Sequence, residues 1–267
     1  HEPRPVVVWS HGGSGGRSSP RTVGRRWGER FAQAGVAFVA VAHAGRSADE
    51  RRALCQAVRA TTCSEFNPLF WDRPHDVVAV LDWLDTAGAD LGLDPERVVY
   101  GGHSAGAIGV LTTAGMAWPF GSGLVPPSDP RPIGFIAASP PGASARMLSA
   151  ASFAALDRPV VLLTGLGDTT ASTEGPDRRA TFELLPSGSP SFLLWIDDRL
   201  ARHGVFDLEP APCIRRGGAA PSCQQMVRVV GRVGVEFASA VAGGVSLDAL
   251  DRRIRANVRA PFEWSDG

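Results

Sequence analysis

Short apolar runs and longer amphipathic stretches take turns along this chain. Residues 6–10, 36–42, 98–100, 133–138, 160–164 and 191–196 carry no charge and are rich in Val, Ile and Leu, the pattern of parallel strands buried on both faces. Helical spacing fills the intervals. Val23, Trp27 and Phe31 share a face over 22–34, and Gly35 ends that helix. Val77, Val80, Leu81 and Leu84 recur in a helix opening at Arg73-Pro74-His75-Asp76, with Pro74 in its first turn. A small-residue helix follows to about Met116, and closing helices are expected over 224–242 and 247–258. Asp94-Pro95-Glu96-Arg97 reads as a turn. The alternation predicts an α/β fold with a mostly parallel sheet covered by helices on both faces. Residues 1–267 read as one domain, with an Arg-rich insert over about 44–71 that holds a short helix at 49–60. A Pro/Gly segment at about 117–132 is too irregular for a helix.

The third strand runs into Gly102-His103-Ser104-Ala105-Gly106, a G-x-S-x-G turn. The pentapeptide alone is a weak signal; the strand before it and the helix after it make Ser104 a candidate nucleophile. Its flanking glycines let strand and helix close on one another. A second glycine-rich loop, His11 to Gly16, follows the first strand. Its spacing fits neither dinucleotide nor nucleotide phosphate motifs, and the chain has no Lys. It reads instead as an oxyanion loop, in which the backbone N–H groups of Gly13 and Ala105 would face the reacting carbonyl. A serine needs an adjacent base. His203 lies beyond the last strand and Asp168 just after the 160–164 strand, which gives the order Ser…Asp…His. Glu174, Asp177, Asp197 and Asp198 are rival acids, and a turn-forming Asp is the plain alternative for Asp168. Trp118 and Phe120 are candidate substrate-binding residues, although a surface loop with stray apolar residues explains them equally well.

With these motifs the chain resembles the α/β-hydrolase superfamily, and within it the bacterial predicted dienelactone hydrolases and platelet-activating-factor acetylhydrolases. The matching pieces are Ser10-His11-Gly12-Gly13, Arg73-Pro74-His75-Asp76 with Leu81-Asp82, the Ser104 turn, Gly167-Asp168 and His203, spread over about residues 6–206. The resemblance implies serine esterase activity and structural hydrogen-bonding roles for His11 and His103. Dienelactone hydrolases proper carry a Cys nucleophile, so Ser here favours ordinary ester hydrolysis. The superfamily also has two strands ahead of the oxyanion-loop strand, and the expectation is that they are missing from this chain.

Formal net charge is zero, which implies no broad attraction to nucleic acid or anionic membrane, and all 27 basic residues are Arg. No apolar run is long enough to span a bilayer. Cys55 and Cys63 are near in sequence, as are Cys213 and Cys223. Local pairing within each couple is favoured among three connectivities, and with it secretion or a periplasmic location; four free thiols are the alternative. Zinc lacks the ligand spacing. The expectation is a cofactor-free, metal-free, monomeric hydrolase of short-chain carboxylic esters acting through an acyl-enzyme. An acyltransferase, a lipase or polyester hydrolase, and a non-catalytic protein of the same fold are the alternatives.

Overall fold

Strand polarity and helix amphipathicity build one seven-stranded sheet in this computed structural model, which describes residues 2–13, 24–57, 59, 63, 68–118 and 128–267. The elements in chain order are β1 (Arg4–Ser10), α1 (Arg25–Gln33), β2 (Ala37–Val41), α2 (Ala48–Ala57), α3 (Leu69–Ala87), β3 (Leu93–His103), α4 (Ala105–Thr113), β4 (Pro132–Ala138), β5 (Val160–Gly165), α5 (Gly175–Glu183), β6 (Ser191–Ile196), α6 (Ala211–Arg215), α7 (Ala220–Ala242), α8 (Leu247–Asn257) and β7 (Phe262–Asp266). Sheet order is β2-β1-β3-β4-β5-β6-β7. The first six strands are parallel and β7 is antiparallel to β6.

Alternation along the strands divides the core. Val7, Trp9, Val99, Ile136 and Leu163 face the layer of α1, α7 and α8, where Trp27, Phe31, Val230, Phe237 and Leu250 pack. Val6, Val8, Tyr100, Phe135 and Leu162 face α3, α4 and α5 on the other side. At roughly 1.5–3 kcal/mol for each fully buried large apolar side chain, these two faces supply the main driving force for the sheet. Strands are added to one side of β1 up to β2 and to the other side from β3 onward, so the loops after β1 and β3 meet at the switch point, the usual ligand position in open parallel sheets.

Three sequence expectations are corrected. The helix holding Arg73-Pro74 begins at Leu69, and Pro74 lies inside it. Burial of Phe70 and Arg73 carries the helix across a residue that cannot donate its own N–H. Asp94 to Arg97 belongs to β3, where the register with β1 shifts between Arg4 and Val6. The chain also closes with a strand, β7, which the apolar-run pattern missed. Both cysteine couples form local disulfides, Cys55–Cys63 and Cys213–Cys223, with Cα–Cα distances of 5.6 and 5.8 Å. Among the described residues no helix is long and apolar enough to cross a membrane.

Candidate functional site

The C-terminal ends of the parallel strands deliver the candidate residues to one edge of the sheet. β3 passes through Gly102 and His103 into Ser104, which adopts φ 55° and ψ −114° at the start of α4. A positive φ is costly for a residue with a side chain. Two contacts hold it there: the Ser104 N–H extends the ladder to Ala138 O at 2.9 Å, and the close approach of Gly106 to Ser10 leaves no room for a Cβ. The first-turn N–H groups of α4, Ala105 included, have no acceptor within their own helix. Ser104, Ala105, Leu69, Ile108, Pro141, Arg146, Thr170, Ser172, Thr173 and Arg178 line a cavity of about 100 Å³.

Asp168 follows β5 and is 0% exposed. One carboxylate oxygen accepts from His203 Nδ1 at 2.7 Å; the other accepts from Ser139 Oγ at 2.7 Å and Thr164 Oγ1 at 2.8 Å. The Arg178 guanidinium stands 3.4 Å from the first oxygen and donates to the carbonyls of Asp168, Ser139 and Pro140. Burial alone would raise the carboxyl pKa, but the His203 bond, the charge of Arg178 and the Ser139 hydroxyl together hold it below its ordinary range. An ionised carboxylate only accepts, so Nδ1 carries the imidazole proton and Nε2 is left as the basic nitrogen.

His203 begins a 3-10 turn that runs to Asp207. Its carbonyl is hydrogen-bonded by His103 Nε2 at 3.1 Å, and the two imidazole rings lie 4.5 Å apart. His203 therefore sits beside the residue that immediately precedes Ser104. Among the described residues no hydrogen bond joins the Ser104 hydroxyl to His203. Burial, then the nearby His203, lowers the His103 pKa to about 3, so this ring is neutral. Asp207 approaches His103 Nδ1 at 3.9 Å, and burial, reinforced by Glu209, raises its pKa to about 7.

The loop after β1 lies against the turn. A Cβ added to Gly12 would stand 3.0 Å from His103 Nδ1 and 3.3 Å from Ser104 Cβ. Gly13 follows with φ +80°. Arg73 donates to His11 O at 2.5 Å and to Gly13 O at 2.7 Å. Burial lowers the Arg73 pKa to about 10, which still leaves it charged at neutral pH.

A second Ser-His-Asp set lies nearby. Asp76 Oδ2 bonds His43 Nδ1 at 2.7 Å, and His43 Nε2 bonds Ser10 Oγ at 2.8 Å. Ser10 is 0% exposed and its hydroxyl also bonds Tyr100 Oη at 2.7 Å. A substrate carbonyl has no path to it, so this set braces the loop that Ser10 introduces.

Of the sequence candidates, Asp168 and His203 are bonded directly, Ala105 follows Ser104 in the chain, and Gly13 comes one residue after Gly12, which lies against Ser104. Trp118 stacks on Phe70 with ring centroids 5.0 Å apart and donates to Thr112 Oγ1 at 2.9 Å, and it is not among the residues that line the cavity. Phe120 lies outside the described residues. Ser139, Thr164 and Arg178 carry no sequence signal, and Arg73 is marked only as part of the Arg-Pro-x-Asp segment. Among the described residues no cluster of three or more His, Cys, Asp or Glu side chains is arranged to hold a metal ion. The chain matches no protein-family model and no curated protein.

Proposed function

We propose that this protein is a serine hydrolase of the α/β-hydrolase type that cleaves short carboxylic esters through an acyl-enzyme. The observation that carries the reading is the 2.7 Å bond between the buried Asp168 carboxylate and His203 Nδ1, at the sheet edge where Ser104 rides a strained turn beside a small cavity. Ser104 Oγ attacks the ester carbonyl as His203 Nε2 accepts its proton. The tetrahedral oxyanion is held by the N–H groups of Ala105 and Gly13. Collapse expels the alcohol, which takes the proton from His203. Water then repeats the sequence on the acyl-enzyme, and the carboxylic acid leaves. The Ser104–His203 hydrogen bond forms in the substrate complex, as catalytic hydrogen bonds often tighten there. The cavity volume supports a short acyl group. Two local disulfides support export to an oxidising compartment.

The lack of a Ser104–His203 hydrogen bond favours a second reading, a non-catalytic protein of this fold. Hydrolysis of p-nitrophenyl acetate by the wild type and by Ser104→Ala separates the two. The proposal expects turnover that the substitution abolishes while the fold is retained. No turnover by either protein favours the binding reading, and activity surviving in the variant removes Ser104 from the mechanism.

A further inference from the structure

Arg73 is 1% exposed and has no carboxylate within ion-pair distance among the described residues. Asp72 and Asp76 act on it only from beyond that distance, so the cost of burying the charge must be offset by what it contacts. Its contacts are the carbonyls of His11 and Gly13, at 2.5 and 2.7 Å. The carbonyl between them, that of Gly12, is engaged by His11 Nδ1 at 2.7 Å. The carbonyls of His11, Gly12 and Gly13 are thereby fixed. In a trans peptide the N–H points opposite to the C=O of the preceding residue, so the Gly13 N–H follows the Gly12 carbonyl that His11 holds, while Arg73 fixes the carbonyls on either side of that peptide. The stem of Arg73 also packs on the nucleophile's helix: a Cβ on Gly109 of α4 would stand 2.7 Å from Arg73 Cβ. One side chain thus registers the loop against the element that carries Ser104.

We propose that Arg73 is a positioning residue for the reaction at Ser104: by gripping the His11 and Gly13 carbonyls, it pins the backbone on both sides of the Gly12–Gly13 peptide, whose N–H would face the oxygen that becomes the oxyanion. The inference rests on the ester-hydrolase reading above. A planar guanidinium spans two carbonyls in a way that an ammonium cannot.

The test compares Arg73→Met and Arg73→Lys with the wild type on p-nitrophenyl acetate, with Ser104→Ala as control and circular dichroism to confirm folding. A misplaced oxyanion donor acts on the transition state and not on substrate binding. Arg73→Met is expected to lose roughly 10- to 100-fold in kcat with KM nearly unchanged. Affinity for an aryl boronic acid, which forms a tetrahedral adduct on serine, is expected to fall by a similar factor; a merely structural role would not link the two losses. Arg73→Lys is expected to fall between. Wild-type kcat in a folded Arg73→Met, or a change confined to KM, overturns the inference. Should Arg73→Met not fold, Arg73→Lys decides by the same two criteria. Activity in Ser104→Ala, or none in the wild type, defeats the hydrolase reading and this inference with it. Loss in Ser104→Ala alongside unchanged Arg73 variants defeats this inference alone.

Discussion

At the scale of single residues, the site depends on a carboxylate kept ionised inside the protein. Asp168 is satisfied on both oxygens, and its partner His203 is thereby oriented with Nε2 as the free base. Asp168→Asn keeps the shape but can donate where the carboxylate only accepted, which favours the wrong imidazole tautomer. Turnover of p-nitrophenyl acetate is expected to fall by roughly 10³- to 10⁴-fold in the folded variant. A loss under tenfold would mean that Asp168 does not orient the base. The turn at Ser104 and the pairing of Asp168 with His203 were legible because each residue follows an apolar run. The burial of Arg178 and Arg73 was not, because an arginine in sequence carries no mark of it. Their roles come from which backbone carbonyls the fold turns toward them. Ser10, His43 and Asp76 teach the converse: the geometry of a triad is complete there, and only burial separates bracing from chemistry.

At the scale of elements, strand positions were readable to within a few residues because buried parallel strands write themselves as uncharged runs. β7 was missed because its Phe262-Glu263-Trp264-Ser265-Asp266 is half polar, with Phe262 and Trp264 inward and Glu263 exposed. That period-two alternation was the signal available. The start of α3 was misplaced because proline was read as a first-turn marker, whereas tertiary burial of Phe70 and Arg73 sets the boundary. Disulfide Cys213–Cys223 ties α6 to α7, and both helices contact the 3-10 turn that begins at His203. Replacing both cysteines with Ala is expected to cost about 2–3 kcal/mol of unfolding free energy, as the closure of a short loop suggests. Activity should fall with it, because the turn loses its clamp. Urea unfolding and kcat measured on the same sample check this, and unchanged kcat in a destabilised protein would detach the clamp from the site.

At the scale of the whole molecule, several buried groups couple folding to pH. Burial lowers His43 to about 4 and His103 to about 3, and lowers His11 as well, against an ordinary 6.5. The unfolded chain therefore binds protons that the folded one refuses, and stability is lost as pH falls from about 6.5 toward 4. Asp207 works the other way. Its folded pKa of about 7 exceeds the ordinary 3.8, so its contribution is fully present below 3.8 and is lost as pH rises through 7. The melting temperature is expected to fall between pH 6.5 and 4, and Asp207→Asn is expected to make that fall steeper. Because the Asp207 side chain is 31% exposed, the change in slope should be modest. A melting temperature flat across this range, or an Asp207→Asn slope that is shallower, would contradict these assignments.

Hydrolysis at this site requires Ser104 to be a nucleophile served by His203. The most direct measurement is reaction with a fluorophosphonate probe followed by peptide mass spectrometry, run on the wild type and on His203→Gln. The account predicts one stoichiometric adduct on Ser104 in the wild type and labelling slowed by orders of magnitude in His203→Gln. An unlabelled Ser104, an adduct elsewhere, or equal labelling rates in the two proteins would contradict it.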